Sequence, residues 1–239
     1  MLDLLENYAE ENGIYLSEKM LERFDVFRNF LIEKNKQINL TSIDDPRDIE
    51  IKHFIDSLAG ADIIEALEGD DFDLVDIGCG GGFPGIPLKI VFPAAEFTLI
   101  DSQKKKIDFV NEAIKMLGLK KVTALAIRAE DLGQGKKRES FDICTSRAVA
   151  DTAVLCEYCL PLVKTGGHCI LYKSGDCEEE VEKAQKAIHT MGGELEDIKK
   201  VSLPEHKGER SLVIINKEKA APIKYPRRSG KPSKSPIRT

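Results

Sequence analysis

No apolar run in this sequence approaches the length that a membrane-crossing helix needs. Nothing in the first thirty residues has the make-up of a secretion signal; Met1 to Glu11 is acidic and amphipathic instead. Both absences lead us to expect a protein of the cytoplasm, with no membrane partner. No internal repeat is visible, which excludes solenoids and propellers. The six cysteines lack metal-site spacing: Cys156-Glu-Tyr-Cys159 stands alone, and Cys169 and Cys177 follow at distances no zinc motif uses. Without a secretion signal they are expected to stay reduced, as small buried apolar residues, and no metal is expected.

The length of 239 residues allows one substantial core and a small appendage. A net charge of −6 conceals an asymmetry. Residues 217–239 carry eight Lys/Arg against the single acid Glu218, whereas the rest of the chain has 27 basic against 40 acidic residues. An acidic body with a basic end suggests that the end meets a polyanion. The plainer reading is a solvated, disordered terminus.

The chain divides into a helical segment (1–70), an alternating strand–helix region (71–217) and the basic, proline-rich tail (218–239). In the first part Leu2, Leu5, Tyr8 and Ala9 share helical spacing up to Gly13. Ser17 can cap a second helix with Met20, Phe24, Phe27 and Leu31 on one face, ending in a polar turn over 34–41. Asp45-Pro46 places a cap and an N1 proline ahead of a third helix that runs out near Gly69. On it His53 and Asp56 lie three apart on one face and read as a surface pair, with a role at a ligand mouth as the alternative.

From Asp73 onward strands and helices alternate, the mark of a mostly parallel sheet with helices on both faces. The order is strands at 73–77, 95–101, 122–127 and 141–145, a helix at 155–163, a strand at 169–172, a helix at 178–191 and two last strands at 195–201 and 211–215.

The centre of this region is Leu74-Val-Asp-Ile-Gly-Cys-Gly-Gly-Gly-Phe-Pro-Gly85, a buried strand breaking into glycines before a helix. Such a turn lets a ligand lie against bare main chain at a helix start. Gly80-x-Gly82-x-x-Gly85 formally matches the dinucleotide fingerprint, so an NAD(P)-binding oxidoreductase or nucleotide sensor is one reading. Asp76, two residues before Gly78, argues otherwise. An acid there would repel a diphosphate and favour a cationic ligand. Asp-x-Gly-x-Gly-x-Gly resembles motif I of S-adenosylmethionine (SAM) methyltransferases.

Three strand ends add chemistry. Asp101, 19 residues beyond Gly82, is placed to bond ribose hydroxyls or to cap the next helix. Arg128-Ala129-Glu130-Asp131 follows the third strand, where main chain and a carboxylate can read an adenine edge. Ser146-Arg147-Ala148 follows the fourth. Methylases of exocyclic base amines carry Asn/Asp-Pro-Pro-aromatic there, which is missing; an arginine suits an anion, either the ligand's carboxylate or an RNA phosphate. Lys173, His206 and Arg210 are further rim candidates.

Taken in order, Asn39-Leu-Thr41, His53-Phe-Ile-Asp-Ser-Leu58, Asp76 to Gly85, Asp101-Ser102, Arg128-Ala-Glu130, Ser146-Arg-Ala148 and Lys224 to Pro232 resemble the bacterial RsmG family, also called glucose-inhibited division protein B. The resemblance spans nearly the whole chain. It implies a Rossmann-like SAM methyltransferase fold and methylation of N7 of a guanine in 16S ribosomal RNA, free or in a small-subunit particle. By position it implies SAM contacts from Gly78, Phe83, Ala129-Glu130 and Arg147, to which the residue reading adds Gly80 and Asp101. A cysteine, Cys79, stands where relatives often have other residues, and beside a ligand it would make the site oxidisable. Guanine N7 has a free lone pair and no proton, so no general base is expected and no side chain is assigned a catalytic role. In the tail Arg227, Arg228 and Lys231, with Lys224 and Lys234, are expected to contact RNA phosphates from an extended segment. A monomer is expected. Another RNA position or a small molecule remains the alternative substrate.

Overall fold

The computed structural model describes residues 2–69 and 71–238. The boundary placed at residue 70 therefore falls at a position outside the described residues. Strands β1 (Asp73–Ile77), β2 (Glu96–Asp101), β3 (Val122–Ala126), β4 (Phe141–Arg147), β5 (Val163–Ser174), β6 (Gly193–Ser202) and β7 (Glu209–Lys217) form one sheet in the order β3-β2-β1-β4-β5-β7-β6. The first five pair in parallel, and β7 runs antiparallel to both β5 and β6. Adjacent side chains of a strand point to opposite faces, and both faces are covered here. Leu74, Phe97, Leu99, Ile143 and Ile170 join one core; Val75, Ile77, Ile100, Cys144 and Leu171 join the other.

The first core is completed by the N-terminal helices α1 (Asp3–Glu11), α2 (Glu18–Ile38), α3 (Pro46–Ile49), α4 (Asp56–Leu58) and α5 (Ala61–Glu68), with α6 (Gly85–Val91) and α7 (Lys104–Met116). Leu5, Phe24, Phe27, Leu31 and Phe54 are all fully buried, and Phe27 meets Phe54, Phe83 and Phe109 ring to ring. The second core lies under α8 (Ala129–Gly133), α9 (Thr152–Cys159) and α10 (Glu178–Thr190). A short last helix, α11 (Lys231–Lys234), packs on α9.

Several boundaries move. Helix α2 runs on to Ile38, so the polar stretch from Lys34 is helix and not turn. Nothing in 34–38 breaks a helix; Asn39 stops it in a left-handed conformation, and the Asn35 side chain accepts from Leu40 and Thr41 N–H. The third predicted helix is interrupted. Between α3 and α4, Glu50–Ile55 forms a π-helical turn, and Ala59-Gly60 separates α4 from α5. His53, against Thr41, Phe83 and Arg147, and Asp56, between Arg147 and Arg210, are out of solvent, so they are not a surface pair. Helix α9 starts earlier than expected, capped by Asp151, and gives way at Pro161. Strand β5 begins at Val163, six residues before the expected start at 169, and runs on through Gly166-Gly167.

The tail also departs from expectation. It is neither extended nor detached. Arg138 donates to the carbonyls of Tyr225 and Ala221, Gln134 to that of Pro226, and Arg238 pairs with Asp151.

Candidate functional site

Strands β2 and β4 leave β1 on opposite sides, so the chain reverses its winding there, and open α/β sheets bind ligands at such a switch beyond the carboxyl ends of the strands. A cavity of about 360 Å3 opens at that place, with Gly78, Asp101, Ala129, Glu130, Val149 and Tyr158 in its lining. Its size falls within the range of small-molecule sites.

The glycine loop is braced from behind. Asp76 is wholly buried; its Oδ2 accepts from Gly85 N–H at 3.0 Å and its Oδ1 from the Thr145 hydroxyl at 3.1 Å. Burial pushes this carboxyl up to about 7, against the pull of Thr145, Gly85 and Arg147. Asp76 therefore does not face a cationic ligand, as its place in the motif suggested. It pins the start of α6. A Cβ on Gly85 would lie 2.9 Å from Oδ2 and 2.3 Å from Leu99, so only glycine brings the helix this close.

Asp101 ends β2 in the cavity lining. Its Oδ2 accepts from Gly80 N–H at 3.1 Å and its Oδ1 from Gln103 N–H at 2.8 Å, bracing the loop and the start of α7. Each oxygen keeps a lone pair for a ribose hydroxyl. Gly78 lies in the wall with φ near +72°, and a Cβ there would stand 2.3 Å from a Val149 methyl. Gly80 sits behind the cavity and acts through Asp101. Ala129 and Glu130 edge the cavity, but the Glu130 carboxylate is already engaged, accepting from Gly230 N–H at 2.8 Å.

Arg147 stands elsewhere, in a second cavity region of about 350 Å3 that shares Ala148 with the first, and Phe83 is buried behind it, in the lining of neither. Phe83 stacks on His53 with centroids 4.4 Å apart, and the Arg147 guanidinium lies 5.2 Å over the Phe83 ring. Arg147 and Arg210 grip opposite oxygens of buried Asp56, each at 2.9 Å. Arg147 also donates toward His53 Nδ1 at 3.3 Å, which leaves the ring proton on Nε2, 2.9 Å from the Thr41 hydroxyl. Burial first, and Arg147's charge second, push His53 down to about 3, so the ring is neutral.

Arg227 corrects the sequence reading. Its guanidinium forks onto Glu157, with Nε 2.9 Å from Oε1 and Nη2 2.5 Å from Oε2, and its own N–H donates to the same carboxylate. Glu157 is 1% exposed. Arg227 is thus engaged as a structural pin, where an extended tail cation was expected, whereas Arg228 and Lys231 are exposed. Cys79 is also corrected: it is buried, and burial holds its thiol well above the ordinary value, the opposite of a reactive cysteine.

Sequence spacing missed the clamp on Asp56, the bracing by Thr145 and the lining by Tyr158 and Ser233. It also missed that Cys144, Cys159 and Cys169 converge, their sulfurs within 4.8 Å of one another. Cys144 and Cys169 are register partners on β4 and β5, a pairing no linear spacing reveals. Three thiols in a closed core fall short of the four ligands of a structural zinc site. A larger hollow of about 660 Å3 lies away from the glycine loop, by Asp151, Asp176 and Glu178. Those acids already pair with Arg238 and Lys200.

Similar folds occur in a SAM-dependent O-methyltransferase from Thermotoga maritima (TM-score 0.52, 17% identity, 80% of this chain and 72% of that one) and in the YcgJ protein from Bacillus subtilis (0.54, 16%, 69% and 99%). With the glycine-walled, acid-braced cavity at the switch point, the chain has the Rossmann-like build of these folds, and its family makes it an enzyme of the SAM-dependent methyltransferase class. It belongs to the rRNA small subunit methyltransferase G (GidB) family, whose model matches residues 20–213. Among its relatives, the ribosomal RNA small subunit methyltransferase G of Staphylococcus carnosus is 45% identical over 99% of this chain and 98% of that protein. Its counterpart in Desulforamulus reducens is 47% identical over 98% and 97%. SAM is the cofactor, and the cavity's chemistry suits it, with bare main chain at Gly78 and carboxylate lone pairs at Asp101. No helix among the described residues is long and apolar enough to cross a membrane.

Proposed function

We propose that this enzyme methylates N7 of a guanine in small-subunit ribosomal RNA by direct in-line transfer, with no obligatory general base. SAM, when bound, supplies an electrophilic methyl group. Gly78, Ala129 and Glu130 form the wall for its nucleoside, Asp101 meets the ribose, and Gly80 holds Asp101 in place. Arg147, steadied by Asp56 and stacked over Phe83, retains among the described residues donors without partners for the cofactor's carboxylate. The target base enters through the second cavity, which meets the first at Ala148.

The observation that carries this reading is the state of His53. The one histidine beside these cavities is neutral and has both nitrogens engaged, so it is unfit as a base. Guanine N7 needs none, because it presents a lone pair without a proton; an exocyclic amine or a ribose hydroxyl would lose one. The protein's contribution is therefore alignment and exclusion of water. Arg228 and Lys231 bind RNA phosphate, and the chain works as a cytoplasmic monomer. The test is to methylate unmodified small-subunit RNA with labelled SAM and map the product by reduction and aniline cleavage, which cuts at N7-methylguanine. Strand scission at a single guanine is expected. Label incorporation without scission would overturn the N7 assignment.

A further inference from the structure

The first cavity is not walled by the sheet domain alone. Ser233 of α11 lines it from the far end of the chain, beside Tyr158 of α9. Several anchors hold that segment in place. Arg227 is forked onto Glu157. Gly230 N–H donates to Glu130, the residue that edges the cavity, and Ser229 Oγ donates to Asp131 at 2.9 Å. Pro232 is buried, while its neighbours Arg228, Lys231 and Lys234 are exposed. One short strap thus touches the cavity and presents three cations to solvent.

We propose that residues 228–234 are a wall shared by two ligands: the inner side completes the cofactor cavity, the outer cations hold RNA phosphate, and each ligand tightens the binding of the other. This rests on the reading of the first cavity as the cofactor site. Each ligand finds its full set of contacts only while the strap is docked on α8 and α9. Each therefore favours the docked arrangement, and linkage makes the gain equal in both directions.

The test is calorimetric titration of the full chain with S-adenosylhomocysteine, which cannot transfer a methyl group, with and without an unmodified small-subunit RNA transcript. Affinity is expected to rise about fivefold or more with RNA, the lower end of ordinary coupling. The charge reversals Arg228→Glu and Lys231→Glu together abolish that gain. Ser233→Trp, at an exposed position, fills the cavity from the strap side and weakens cofactor binding about tenfold or more without RNA. Its unfolding midpoint checks that the fold persists, and should it not, the RNA-dependent gain in the unaltered chain still decides. Equal affinity with and without RNA, no RNA binding at all, or wild-type affinity in a folded Ser233→Trp chain would each overturn the shared wall. Those results leave the cofactor assignment standing. Failure of the full chain to take S-adenosylhomocysteine removes the assignment and the wall together.

Discussion

His53 is a neutral ring held between an arginine and a threonine, and its pH behaviour follows from that position. Its value of about 3 lies below that of an unfolded histidine, so the unfolded chain binds a proton first. Its contribution to stability is full above about pH 6.5 and is lost as pH falls toward 3. Across pH 6 to 8 the ring does not titrate. Turnover at saturating RNA and SAM is therefore expected to show no inflection from His53 near pH 6.5, and a folded His53→Ala chain retains measurable turnover. Complete loss in that variant would contradict the mechanism. Asp76 behaves with the opposite sign. Its carboxyl is raised from 3.8 to about 7, so the folded state holds the extra proton and this contribution to stability declines as pH climbs through that window. The unfolding free energy of wild type minus that of Asp76→Asn should slope with pH from about 4 to 7 and flatten above about 8. Asp76→Ala, which strands the Gly85 N–H and the Thr145 hydroxyl, is expected to cost about 2 kcal/mol or more, measured by denaturant unfolding. The motif drew attention to this acid for its charge. Only the fold reveals that its oxygens are spent on protein donors, because Thr145 is 69 residues away.

Among the elements, those with strong periodicity and named caps were legible: α1, α2 with its Ser17 cap, the glycine turn, α10 and the alternating strands. The lengths of α2, α9 and β5 were not, since their ends are set by Asn39, Asp151 and sheet pairing. The strap was misread because proline and lysine are what an extended linker also contains. What docks it is the partner set on other elements, Glu157, Glu130, Gln134 and Arg138. Arg227→Ala leaves the Glu157 carboxylate buried without its partner and is expected to cost about 3–5 kcal/mol. The check is twofold: a lower thermal midpoint, and new proteolytic cuts confined to residues 219–238. A variant that unfolds no more easily than wild type would show that the strap is held by other contacts.

At the scale of the whole molecule, the proposed RNA contact lies on the basic end of an acidic body. Each phosphate held by a strap cation adds about 0.7–0.9 to the slope of log affinity against log salt. Arg228→Ala and Lys231→Ala are each expected to lower that slope by about this amount, with Arg227→Lys leaving it unaltered, measured by filter binding across a salt series. The placement of the cofactor cavity has another outcome. Synthesis runs from the amino end, so β1 to β5 leave the ribosome before β7, which lies between β5 and β6, and before the strap. A nascent chain can assemble β1 to β5 and their glycine turn, yet its donor cavity stays open on one side until Ser233 has been translated. An enzyme that modifies ribosomal RNA thus acquires its finished pocket only after the sheet that carries it has been made.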